Sequence, residues 1–305
     1  MFIWNRFRKK AICPSMARRF HSALITIRHG APAISVAAAM LSGCAMDYEI
    51  SDFQLEGVER LSIIDAAGTE LSYLRAGDPA GPRVIYVHGT PGDATNFAAL
   101  LTEPIPGMDS ISVDRLGFGQ SGPDHAVTRF AEQAAAIAPL LVKRGRGGVR
   151  DGGRWPILVG HSLGAPIVAR LAADYPDRVA GIVIVSGSLS PSLENPRWFN
   201  YLGSFPLIDI ALDTSLRRSN REIMAARRET RELEPLLASV HCPIVIIHGT
   251  EDGLVPLANV QYMVEQFKGA SVETVILRGE GHFIPWQRED SIRHAVEKLN
   301  KGTEY

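Results

Sequence analysis

Short apolar runs at 84–87, 111–113, 157–159 and 182–185 punctuate the chain, and two more follow at 244–247 and 272–277. The first four lack the polar alternation of a sheet with one wet face, so they predict strands buried on both sides in a parallel sheet. Stretches with helical spacing of apolar residues lie between or after them, at 128–143, 163–175, 257–267 and 290–299. Strand and helix in alternation predict an α/β class with a mostly parallel sheet flanked by helices. Ahead of the first run, 60–65 and 70–76 meet around Ala67-Gly68 and read as an antiparallel hairpin at the sheet edge.

Two stretches break the rhythm. Residues 143–154 hold five glycines and five basic side chains, too polar and flexible to pack, and read as a mobile surface loop. Over 191–238 the strand pattern stops and aromatic, Arg-rich helical material intervenes. An insertion of that length between consecutive strands predicts a small helical lid. Its seven arginines balance seven acidic residues, so it gives no sign of selecting a charged substrate.

The amino end differs from everything after it. Residues 1–43 carry seven basic residues and no acidic one, and an apolar stretch at 31–41 is too short to span a bilayer, which needs about 20 residues. It runs into Leu41-Ser42-Gly43-Cys44, which resembles the lipobox of bacterial lipoproteins. That resemblance implies a signal peptide over 1–43 and a mature chain of 44–305 starting at an acylated Cys44. Ala45 after the cysteine implies an outer-membrane lipoprotein facing the periplasm; simple secretion and a cytoplasmic protein are the alternatives. Met16, followed by Ala17-Arg18-Arg19, is a second candidate translation start.

The chemistry gathers on loops that follow strands, where an open α/β sheet presents its ligand site. After the 157–159 run comes Gly160-His161-Ser162-Leu163-Gly164 and then an apolar-periodic helix, the strand-turn-helix setting of a G-x-S-x-G nucleophile elbow. A serine needs a histidine to take its proton and a carboxylate to orient that histidine. Glu251 and Asp252 follow the 244–247 strand as candidate carboxylates, and His282 follows the last strand through a Gly-rich turn.

Together with His88-Gly89-Thr90-Pro91-Gly92 and the 114–121 segment Asp-Arg-Leu-Gly-Phe-Gly-Gln-Ser, these motifs resemble the α/β-hydrolase superfamily over about 60–300. The resemblance implies the α/β-hydrolase fold with Ser162 as nucleophile, Asp252 as acid and His282 as base. The spacing of Asp252 to Val255-Pro256 favours it over Glu251. The backbone N–H groups of Thr90 and Leu163 are implied as oxyanion donors, since Pro91 has none. Phe118, Trp198, Phe283 and Trp286 are candidate substrate-pocket residues. A serine at the elbow favours acyl transfer, so a carboxylesterase-like hydrolase of a small-molecule ester is expected. The alternatives are a proline-iminopeptidase-like amide hydrolase, a carbon–carbon bond hydrolase, a cofactor-free haloperoxidase and an inactive hydrolase-fold envelope lipoprotein.

Composition then narrows the partners. The 305 residues carry 32 basic and 33 acidic side chains, with pI about 6.8, which lacks the excess charge of a nucleic-acid binder. Without residues 1–43 the balance becomes 25 basic against 33 acidic, a net of −8, so membrane attachment is expected to come from lipid on Cys44. Three scattered cysteines predict neither a disulfide framework nor a cysteine metal site, and no metal or cofactor is expected.

Overall fold

In the computed structural model, which describes residues 55–65, 68–145 and 153–302, eight strands form one sheet. They are β1 (Glu59–Ile64), β2 (Glu70–Gly77), β3 (Arg83–Val87), β4 (Asp109–Val113), β5 (Ile157–His161), β6 (Gly181–Val185), β7 (Ile244–Gly249) and β8 (Val272–Leu277). Their order is β1-β2-β4-β3-β5-β6-β7-β8. β1, β2 and β4 pair antiparallel, and every later pairing is parallel. The basic leader, Cys44, Ala67 of the hairpin turn and the middle of the 143–154 loop lie outside the described residues.

Every residue of β3 to β7 is buried, the polar Asp109, Ser110 and Ser112 of β4 included, while edge strand β8 mixes half-buried and exposed positions. The helices are α1 (Ala98–Thr102), α2 (Phe130–Ile137), α3 (Gly164–Asp174), α4 (Trp198–Gly203), α5 (Pro206–Asp209), α6 (Thr214–Leu233), α7 (Ala258–Gln266), α8 (Ile284–Gln287) and α9 (Glu289–Gly302). Side chains alternate across a strand. Ile85, Val87, Ile111 and Leu158 therefore pack toward α2, α3 and α7, while Val84, Tyr86, Val159 and Val245 pack toward α1 and α9.

Two expectations need correction. The helix predicted over 128–143 stops at Ile137, because Pro139 supplies no N–H for an i→i−4 bond, and a single 3₁₀ turn follows. The ends of the 143–154 loop do pack. Arg144 and Arg154 exchange backbone hydrogen bonds of 2.9 and 2.8 Å, and Lys143 lies 5.1 Å over the Trp155 ring. The physical reason is Asp109, whose fully buried carboxylate gathers Arg75, Arg83 and, at 3.6 Å, Arg144.

Between β6 and β7 the chain runs through α4, α5, α6 and a 3₁₀ turn at Glu234–Ser239. Asp213 caps α6 by accepting from Leu216 N–H. Ala226 and Leu233 join the core, and Glu222, Glu229 and Thr230 are buried beside them. The helix is thus held by polar contacts as well as apolar ones: Glu229 accepts from Phe130 N–H, and Arg218 donates to Gly117 O.

Candidate active site

Ser162 sits in the turn from β5 to α3 with φ 52°, one of two non-glycine residues at positive φ among the described residues. A serine rarely adopts that conformation unless its surroundings enforce it. Here Ser162 N–H donates to Val185 O at 2.9 Å, and Ser162 O accepts from Ala165 N–H at 3.1 Å. The turn is tight enough that a Cβ on Gly164 would lie 2.2 Å from Val87 O, so glycine is needed there.

Asp252 follows β7 and His282 follows β8, and the sheet brings them together: His282 Nδ1 lies 2.8 Å from Asp252 Oδ2. The other carboxylate oxygen accepts from Leu254 and Val255 N–H at 2.9 and 2.8 Å. Burial alone would raise this carboxyl, but the His282 hydrogen bond and charge and the two backbone donors outweigh it and hold it at about 2. Neighbouring Glu251 is exposed, so the histidine bond belongs to Asp252. His248 supports this loop from below, with Nε2–H donating to Val255 O at 3.1 Å.

His161, next to Ser162 in the turn, ties that turn to the His282 loop. Its buried Nε2–H donates to the His282 carbonyl at 3.0 Å, and the two rings lie 4.9 Å apart. Burial, with the nearby His282 charge, pushes His161 down to about 3, so it is a neutral tether. Sequence reasoning passed over this residue, although it stands inside the elbow motif. Replacing His161 with leucine removes the donor and lets the His282 loop drift. Because misplacement by about 1 Å can cost about 10²-fold in rate, kcat on p-nitrophenyl acetate is expected to fall 10- to 100-fold. His161→Gln, which keeps an N–H donor, should recover part of that loss; equal rates for leucine and native proteins would refute the tether.

The loop after β3 is held by two buried groups. His88 Nδ1–H donates to Gly89 O at 2.7 Å, and its Nε2 accepts from Arg115 N–H at 3.0 Å. Arg115 Nη2 also donates to Gly89 O at 2.8 Å. In a trans peptide C=O and N–H point in opposite directions, so anchoring Gly89 O inward turns Thr90 N–H away from Arg115. A Cβ on Gly89 would lie 2.8 Å from Ser162 Cβ, which places this loop directly against Ser162. Leu163, immediately after Ser162, is the residue preceding α3, so its N–H lies at the start of that helix.

Of the candidate pocket residues, Phe283 and Trp286 are partly exposed beside the site, with ring centroids 5.8 Å apart and Trp286 5.6 Å from His161. Trp198 stands exposed at the start of α4. Phe118 is buried, packed edge-on against His88 and beneath the Arg115 guanidinium at 4.8 Å. Among the described residues no three His, Cys, Asp or Glu side chains form a metal-ligand group.

A sequence profile of the alpha/beta hydrolase fold matches residues 82–207. The chain is 32% identical over 122 residues to a dihydrolipoyllysine-residue acetyltransferase component of the acetoin cleaving system of Cupriavidus necator, covering 40% of this chain and 30% of that one. It is 24% identical over 270 residues to Lipase 3 of a Moraxella species, covering 78% and 82%. A solved esterase structure from Thermogutta terrifontis superposes with a TM-score of 0.59 at 21% identity, over 81% of this chain and all of that one. The chain spans only 30 to 36% of the length of the first curated relatives it matches. With the strand order above, these likenesses establish the α/β-hydrolase fold.

Proposed function

We propose that this chain, built on the α/β-hydrolase fold, is a serine hydrolase that cleaves carboxylic esters through an acyl-enzyme. The observation that carries the reading is the 2.8 Å His282–Asp252 bond beside a serine held at φ 52°, joined through His161. Ser162 Oγ attacks the ester carbonyl while His282 Nε2 takes its proton. The oxyanion accepts from the N–H groups of Thr90 and Leu163, each such donor being worth about 10² to 10³ in rate. His282 then gives the proton to the leaving alcohol, and water releases the acid by the reverse sequence. Asp252, ionised above about pH 2, holds the imidazole tautomer throughout. The 191–238 helices form the lid, and Trp198, Phe283 and Trp286 line the substrate entrance, with Phe118 supporting the oxyanion loop.

Likeness to Lipase 3 of a Moraxella species supports an ester substrate. A fluorophosphonate probe should label the folded protein once per chain, and an acyl-chain series of esters with amide and lactone controls ranks the substrates. An unlabelled folded protein overturns the enzyme reading.

Attachment to the cell envelope is the second part of the proposal. Leu41-Ser42-Gly43-Cys44 supports acylation of Cys44 and an outer-membrane position facing the periplasm. No described helix is long and apolar enough to cross a membrane, and a lipid anchor does not require one. In Triton X-114 partition of cell extracts, Cys44→Ser is expected to move the protein from the detergent to the aqueous phase. Unchanged partition refutes acylation.

A further inference from the structure

Residues 198–208 contain no charged side chain, yet this strip is turned outward. Trp198, Tyr201, Phe205, Leu207 and Ile210 are 54 to 82% exposed, on α4, on α5 and at their ends. Together they present on the order of 600 Å² of mostly apolar surface, at the upper end of what one monomer normally leaves in water. The strip adjoins the candidate site. Arg197 at its start donates to the carbonyl of Gly253, one residue past Asp252, and half-exposed Leu254 and Phe283 flank the bonded Asp252–His282 pair.

We propose that this face docks on a phospholipid surface. Three observations select that occupant. The first is chemical: tryptophan and tyrosine beside aliphatic side chains, with arginines at the border, is the composition that settles at the headgroup boundary. The second is charge. The nearby carboxylates are engaged, Asp209 with Arg221 and Asp213 in capping α6. Arg197 and Arg217 donate to the backbone carbonyls of Gly253 and Leu212, and neither meets a carboxylate among the described residues. Two guanidinium groups with no carboxylate partner among the described residues border the strip, complementary to lipid phosphates. The third is area and reach. A stable dimer interface needs about 800 Å² from each partner, more than this strip offers. Leu55 follows Cys44 by eleven residues, so an acylated Cys44 would keep the domain within about 40 Å of the bilayer.

The docking does not depend on catalysis, so it is tested on the Ser162→Ala chain produced without lipid as Cys44→Ser. Binding to phosphatidylcholine vesicles is read by co-sedimentation and by tryptophan emission. The protein is expected to bind with a blue-shifted emission, and the triple variant Phe205→Ser/Leu207→Ser/Ile210→Ser to bind about 100-fold more weakly. The same triple change should leave the circular dichroism spectrum and the urea midpoint unaltered, which shows that it folds. Absence of vesicle binding, or equal binding by the triple variant, overturns the proposal. So does a concentration-dependent dimer in sedimentation velocity that the triple variant abolishes, since that assigns the face to a second copy. Fluorophosphonate labelling is read separately, so failure of the hydrolase reading and failure of docking give different results.

Discussion

Ser162→Ala is expected to lower kcat for p-nitrophenyl acetate by about 10⁶-fold and to abolish fluorophosphonate labelling, with no change in the cooperativity of unfolding. Alanine occupies the same positive-φ backbone as serine, and the bonds that hold the turn, to Val185 O and from Ala165 N–H, are made by the main chain. Only the hydroxyl is lost. His282→Ala should cost about as much, because a hydroxyl without its base is a poor nucleophile. Asp252→Asn should cost less, about 10⁴-fold, since it disturbs the tautomer without removing the proton acceptor. In the proposed mechanism these three groups act as one device, so the Ser162→Ala/His282→Ala double variant should be no slower than either single change. Measured kcat values that multiply across the pair, or more than about 1% of native activity in Ser162→Ala, would sink the assignment.

The parts of this architecture that were legible in sequence are those where local composition and tertiary position agree. The buried stretch Ile244–Ile247 of β7 reads as an uninterrupted apolar run, and a glycine pair around Ser162 marks a turn whose geometry leaves no room for Cβ atoms. Illegible features depend on distant partners. Nothing near Arg144 in sequence announces that Asp109 would draw it inward, and nothing near His161 announces its bond to the carbonyl of residue 282. Phe118 read as a pocket aromatic because it stands in a motif loop. Its burial follows from the cation of Arg115, which lies over the ring, and from His88 at its edge. Periodicity alone also carried the α2 pattern past Pro139, where backbone chemistry stops the helix.

Another long-range dependence is the ion pair between Arg115 and Glu222, with side-chain exposures of 0 and 3%. Its two hydrogen bonds, 2.6 and 3.0 Å, join the loop after β4 to helix α6, and the same guanidinium holds Gly89 O. Glu222→Ala would leave a buried cation without its partner, and such a break typically costs about 3 to 5 kcal/mol, a large fraction of a domain's stability. A strong drop in the urea midpoint is therefore expected. Stability alone does not distinguish packing from positioning, but a second variant does. In Arg115→Met/Glu222→Leu both charges are gone, and a buried ion pair replaced by apolar groups of similar volume is near neutral or stabilising. That protein should regain most of the midpoint. Its Gly89 carbonyl, however, has lost the arginine donor and keeps only His88, so Thr90 N–H, the proposed oxyanion donor, is held less firmly. Because that contact tightens in the transition state, kcat should stay depressed by about 10-fold or more while KM moves little. Recovery of both midpoint and kcat in the double variant would make the pair a packing element only. Recovery of the midpoint alone would make Arg115 the positioning residue through which α6 sets the oxyanion loop.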